Sequence, residues 1–348
     1  MILQMARASP LSFAEFAILS PMSKTDAHSL DPIPDEQFLE AHDAAEGKPA
    51  GVRFLAFNTV IDIEAYGETA ACQAAFEEAR ALCRRYERLF SRTLPHSDIA
   101  RINSAHGQPV AIDPLTYDLL SKAIAYCAES EGAFDITVGP AVRLWNFHEG
   151  TVPDDGALAE AVRHVDWRAL KLWEEGGACF AQLADPDAAV DAGGIAKGWI
   201  ADALVAAMEA HGLSGTIVNL GGNVAVSGTK PTGDPWHVGI RDPRDPSQLI
   251  GAVPLVAGSA VTSGVYERCF TAPDGTFYHH ILDPRTGRPV ETDVAGVTVI
   301  CEASTDAEGF STTLLALGLK RGLALARRHP EILQAFFIAP DGTITNAR

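Results

Sequence analysis

Asp191, Lys197, His280, Glu308 and Thr312 are the side chains of this 348-residue chain best suited by type and spacing to chemistry on a phosphorylated ligand. The first two stand in DAGGIAKG (191–198), where a strand gives way to the start of a helix. Consecutive glycines let backbone approach a ligand closely, and the free N–H groups of a helix start attract phosphate. Lys197, one turn in, adds a full positive charge, while Asp191 can bind a ring N–H or a hydroxyl. His280 stands in HHILDPRTG (279–287), at the end of an alternating strand and just before a turn. An imidazole there can act as general base or phosphate ligand. Glu308 and Thr312 of STDAEGFSTTLLALG are four residues apart, on one helical face. A carboxylate and a hydroxyl so placed suit Mg²⁺, which takes few protein oxygens and keeps waters and substrate phosphates. In GAFDITVGP (132–140), Phe134 can stack on an aromatic ring and Asp135 can accept hydrogen bonds.

Each string also has a plainer reading. Asp191 can be an N-terminal acid before a tight turn, with Lys197 a solvated helix residue and no Walker-type spacing nearby. Asp-Pro-Arg-Thr-Gly is turn chemistry by composition, and a strand histidine is commonly a satisfied core or surface group. Asp306 and Glu308 can simply favour a helix dipole. Phe134 and Asp135 can be packing plus a turn cap, and Gly221-Gly222 a close backbone passage.

The bulk composition narrows the class of ligand. A net charge of −18 argues against nucleic acid, which requires basic surface to replace counterions. An anionic ligand therefore needs local compensation by cationic side chains or a metal. With 47% hydrophobic residues the chain can bury a substantial core. Six cysteines show no CxxC pair, which reads as dispersed core thiols in a reducing compartment. No apolar run reaches the ~18 residues of a membrane span, and LSFAEFAIL near the N-terminus carries Glu15 and lacks a preceding basic cluster. A cytoplasmic location is the resulting expectation. Between Asp26 and Glu46 there are seven acids and no Lys or Arg, so residues 1–50 are expected to form a flexible acidic extension before a single domain, 51–348.

The elements that must carry these side chains are mixed in type. A strand is expected over 54–67 and a long helix from Thr69 to Phe90, with Phe76, Ala79, Cys83, Tyr86 and Phe90 at helical spacing. Asp113-Pro114 opens a second helix to Glu129. A loop-rich stretch, a strand pair at 178–183 and 188–191 and a helix over 195–211 follow. Short strands punctuated by Gly, Pro and Asp run from residue 216 to 282. VAGVTVICE then leads into helices over 305–317 and 319–329 and a last strand, QAFFIA. The class is α+β: antiparallel sheets flanked by helices, without regular βαβ alternation.

Taken together and in order, ERLFSRTLPHSDIARIN (87–103), GAFDITVGP, DAGGIAKG, IVNLGGNVAVSG, AVTSGVYERCF with YHHILDPRTGRP, and VTVICEASTDAEGFSTTLLALG resemble the FAD:protein FMN transferases, the ApbE-like family. The resemblance spans about 54–345. It implies a two-lobed, T-fold-like α+β domain and Mg²⁺-dependent transfer of FMN from FAD to a Thr or Ser hydroxyl of a target flavoprotein, with release of AMP; Mn²⁺ is an alternative cation. By the same resemblance Phe57, Thr93, Ala133, Phe134, Asp135, Asp191, Lys197 and Leu282 fall at FAD-contact positions. Gly194 (through its carbonyl), Glu308 and Thr312 fall at metal positions, and His280 at that of the proton-transfer histidine. Departures from the family pattern are Glu308 for a shorter Asp, which would shift the metal or bring in Asp306, Thr93 for a Tyr, and Phe57-Asn58-Thr59 for Met-Gly-Thr. They open altered catalysis or a non-catalytic FAD binder as alternatives, and the same site with water as acceptor would make an FAD pyrophosphatase giving FMN and AMP.

Overall fold

The computed structural model describes residues 38–348. In chain order the strands are β1 (Phe38–His42), β2 (Ala50–Ala56), β3 (Thr59–Ala65), β4 (Val110–Ile112), β5 (Leu170–Glu175), β6 (Ala178–Leu183), β7 (Thr216–Leu220), β8 (Asn223–Ser227), β9 (Trp236–Asp242), β10 (Asp245–Leu255), β11 (Ala257–Gly264), β12 (Cys269–Thr271), β13 (Phe277–His279), β14 (Gly296–Cys301), β15 (Ile332–Ile338) and β16 (Ile344–Ala347). The helices are α1 (Thr69–Phe90), α2 (Asp98–Asn103), α3 (Pro114–Glu129), α4 (Gly139–Val142), α5 (Asp155–Ala161), α6 (Ala196–Ala210) and α7 (Ser304–Arg328).

Nine strands make one sheet, in the order β1-β2-β3-β7-β8-β11-β14-β15-β16. Every neighbouring pair in it is antiparallel. Helices α1, α6 and α7 bury their apolar stripes on this sheet, with Cys83, Leu204 and Leu314 fully enclosed. The opposite face is covered in part by the β9–β10 hairpin, whose Trp236, Val238 and Val253 pack on Ile217, Ala260 and Ile300. Coverage on both faces explains why all six residues of β14 are buried. A smaller three-stranded sheet, β4-β6-β5, sits beside α3. The two expected lobes share one core, because Leu119, Leu120 and Leu183 belong to the same cluster as Phe54 and Val299.

Three expectations need correction. The strand over 54–67 is a hairpin, with Phe57 (φ 54°) and Asn58 (φ 55°) as its two turn residues. Positive φ at both centres is what a tight hairpin demands. Asn tolerates it well and Phe poorly, so an uninterrupted apolar run concealed the turn. Residues 188–191 form no strand, and Ala189 makes only an isolated parallel bridge to Val138. β6 pairs instead with β5 across Gly176-Gly177, and Trp173 stacks on Phe180 with ring centroids 5.4 Å apart. Finally, β1 lies within the stretch expected as an extension, so the sheet begins before residue 51. Residues 1–37 lie outside the described residues.

Candidate active site

The two chemistry-bearing helices meet at their N-terminal ends. α7 has no side-chain cap of its own at Ala303. Asp202 of α6 fills that role, accepting hydrogen bonds from Ser304 N (2.6 Å), Thr305 N (2.8 Å) and Thr305 Oγ1 (2.6 Å). A carboxylate at this point also complements the helix dipole. One turn earlier on α6, Gly198 lets the helices touch. A Cβ there would lie 2.8 Å from Glu308 Cβ and closer still to the Ser304 carbonyl, which is backbone and cannot yield. Gly198→Ala should therefore cost about 1–3 kcal/mol by overpacking and pull Lys197 away from Glu308. Chemical denaturation together with FAD titration would show both losses, and a variant as stable and as tight as the parent would contradict this packing.

That contact brings Lys197 and Glu308 into a direct ion pair. Glu308 is buried, 4% exposed, and Lys197 is half-buried. The second carboxylate oxygen of Glu308 accepts from Asn223 Nδ2 at 2.6 Å. Lys197 Nζ also reaches the Gly193 carbonyl at 3.4 Å. Gly193 and Gly194 belong to a single 3-10 turn, Ala192–Gly194, capped by Asp191 Oδ1 accepting from Gly193 N at 2.9 Å. The other Asp191 oxygen pairs with Arg92 Nε at 3.2 Å. Thr312, one turn beyond Glu308, is half-buried with Oγ1 3.3 Å from Ser263 Oγ. Glu308, Thr312 and the Gly194 carbonyl, the expected metal positions, offer oxygen donors alone. That chemistry fits a hard divalent cation such as Mg²⁺.

His280 follows β13 directly, and its N–H is bonded to the Arg268 carbonyl at 3.0 Å. Its Nδ1 is buried with no hydrogen-bond partner among the described residues. Burial first, then the charges of Arg268, His279 and Lys197, push the imidazole down to about 3. The ring is neutral at ordinary pH and feels the same ammonium group that pairs with Glu308. Glu267 stands in the same field. Its Oε1 is 3.7 Å from where a Cβ of Gly222 would lie. Its side chain reaches solvent yet is crowded by protein, and desolvation together with Glu308 outweighs the cations Lys197, Arg268 and Arg241 and raises it to about 7. A neighbouring cavity of about 630 Å³ is lined by Val265, Tyr278, His279 and Val290 and does not include His280. Successive residues of an extended segment face opposite ways.

The remaining expected contacts are distributed unevenly. Phe134 packs on the site, its Cε2 2.8 Å from a Cβ position at Gly194. Half-buried Ala133 precedes it. Thr93 is exposed, in the Ser91–Leu94 turn that carries Arg92 to Asp191. Phe57 is half-buried and its N–H donates to Glu87 Oε1 at 2.7 Å. Asp135 has its carboxylate engaged by Thr137 N (2.8 Å), Thr137 Oγ1 (2.6 Å) and Trp167 N (3.2 Å), so it serves here as a buried turn cap. Leu282 packs its side chain with Ala141, Trp145 and Leu158. Asp306 bonds Tyr126 and Lys122, on the α3 side, so it is not placed to stand in for Glu308. Asn223, Arg92 and Glu267 carry no signal of their own in the sequence. All three lie inside the strings IVNLGGNVAVSG, ERLFSRTLPHSDIARIN and AVTSGVYERCF, but the groups they face are distant in the chain.

Comparison with known proteins decides the family. The ApbE family model matches residues 57–337. The chain belongs to the ApbE family. It is 38% identical to the FAD:protein FMN transferase of Treponema pallidum, over 82% of this chain and 83% of that one. It is 34% identical to a Klebsiella pneumoniae protein of the same name, over 76% and 81%. The ApbE protein of Thermotoga maritima superposes with a TM-score of 0.79 at 29% identity, covering 86% of this chain and 97% of that one. The apo flavinyl transferase ApbE of Pseudomonas stutzeri gives 0.74 at 28% identity, covering 86% and 95%. This chain is thus an enzyme of the ApbE flavin transferases, with their mixed helix and antiparallel-sheet fold.

Proposed function

We propose that this protein moves FMN from FAD to a Ser or Thr hydroxyl of an acceptor flavoprotein and releases AMP, with Mg²⁺ as cofactor and Mn²⁺ as a substitute. The observation that carries the reading is the Lys197–Glu308 contact beside a neutral, half-buried His280. It supports a diphosphate clamp, a cation ligand and a base within one cleft.

The acceptor oxygen forms a bond to the FMN-side phosphorus as the bridging P–O bond breaks, and AMP leaves with the bridging oxygen. No covalent enzyme intermediate is needed. Because Nδ1 of His280 is buried, Nε2 is the nitrogen that takes the hydroxyl proton. Lys197 turns from Glu308 to the diphosphate and holds it in line for attack. Phe134 walls the site over Gly194, and Arg92 fixes Asp191 at the helix start. Glu308, Thr312 and the Gly194 carbonyl would hold the cation, which when bound neutralises charge gathering on the phosphate oxygens.

A cytoplasmic location is part of the proposal. All six cysteines are free thiols, four of them buried, which suits a reducing compartment. No helix among the described residues is long and apolar enough to cross a membrane.

Incubation with FAD, Mg²⁺ and an acceptor domain bearing the target Thr should raise the acceptor's mass by that of FMN less one water and release one equivalent of AMP. Chelation should stop both. AMP formed equally fast without acceptor would make the protein a pyrophosphatase. FAD held without turnover under any divalent ion would make it a binding protein.

A further inference from the structure

Asn223, the first residue of β8, is 1% exposed and belongs to neither α6 nor α7. Its Oδ1 accepts from Ser304 Oγ at 2.7 Å and its Nδ2 donates to Glu308 Oε2 at 2.6 Å. The amide orientation follows from the donors and acceptors around it, since a carboxylate can only accept. Among the described residues, Lys197 and Asn223 are the two side chains bonded to the Glu308 carboxylate, one to each oxygen.

These two partners are not equivalent. Lys197 neutralises Glu308 and competes with any cation for it. Asn223 is neutral, so its hydrogen bond orients the carboxylate and leaves the charge available. Once Lys197 changes partner, a buried carboxylate with no remaining bond would swing away toward another donor, because an unpaired charge is costly inside a protein. Partners behind a metal-binding carboxylate fix its direction, and losing one typically weakens metal affinity about 10–100-fold.

We propose that Asn223 is a positioning residue of the transfer reaction, keeping Glu308 presented to the divalent cation while Lys197 moves from Glu308 to the diphosphate. The inference rests on the roles given above to Lys197 and Glu308. It extends them to a residue on a third element, tied through Ser304 to the start of α7.

The test is Mn²⁺ binding to the full chain, followed by electron paramagnetic resonance with ADP as a diphosphate probe that cannot transfer FMN. Asn223→Ala should raise the Mn²⁺ dissociation constant by about 10–100-fold in the presence of ADP, while ADP affinity without metal stays within about twofold. In the transfer assay the cation concentration for half-maximal rate should rise, with kcat at saturating cation largely retained. Ser304→Ala, which removes the anchor of Asn223, should shift Mn²⁺ affinity the same way by less. It also carries the test if Asn223→Ala does not fold. Unchanged Mn²⁺ affinity in the folded variant overturns the proposal, and so does an equal loss of ADP binding with and without metal. If the parent protein itself binds no Mn²⁺ with ADP present, the metal-dependent reading fails and Asn223 loses its role with it.

Discussion

Replacing His280 by alanine should lower kcat for FMN transfer by about 10²–10⁴-fold, the usual contribution of a positioned base, while FAD affinity changes little. The reason is placement. His280 follows β13 with its N–H fixed on Arg268 and sits within the field of Lys197 without pairing to a carboxylate. Its pH behaviour carries a sharper expectation. In the free protein the imidazole is pushed down to about 3 by burial and by neighbouring cations, so it is neutral and able to accept a proton throughout the ordinary range. A base of this kind fails only as pH falls through its own pKa. His280 should therefore produce no acid limb in kcat/KM, which reports the free enzyme, between pH 5 and 8. Binding the FAD diphosphate adds negative charge and engages Lys197, and both raise the imidazole again. The acid limb of kcat, which reports the complex, should lie at higher pH than that of kcat/KM. Coincident limbs near pH 6.5 would show that His280 is not held down as the structure has it, and a fully active His280→Ala would remove it from the chemistry.

Lys197→Ala should do two separable things. FAD binding should weaken by roughly 10–100-fold, the loss of a charge-assisted contact worth about 1.5–3 kcal/mol. Stability should also fall, because Glu308 stays buried with only Asn223 bonded to it. Breaking a fully buried pair costs about 3–5 kcal/mol, and since Lys197 is partly open to water a loss nearer 2 kcal/mol is expected. The double variant Lys197→Ala/Glu308→Gln tells the effects apart. Removing the stranded charge should restore most of the stability and none of the FAD affinity. Denaturant titrations and FAD fluorescence on the same preparations would check this. Recovery of FAD affinity in the double variant would mean that Lys197 acts by neutralising Glu308 and does not touch the diphosphate.

The α1 and α3 helices were legible residue for residue because each carries its own start signal or a long apolar stripe, and such signals act over a few turns of chain. The β2–β3 hairpin was not, since Phe57 occupies a turn position that the hydrophobic pattern assigns to a strand. The same divide runs through the site. Composition marked Asp191, Lys197, His280 and Glu308 because acids, bases and glycines crowd into short strings there. What each does was set elsewhere: Lys197 meets Glu308 across 111 positions of sequence, and Asn223 meets it across 85. Asp135 suited a ligand by type and Leu282 stood at a contact position by resemblance alone; the fold engages the first in a buried turn and packs the second in a side cluster. Residue type and local spacing thus determined which chemistry was available and where the helices α1 and α3 run. Only tertiary packing decided which groups meet, because an ion pair or a buried amide contact depends on approach to within a few ångströms, and no local pattern encodes that distance.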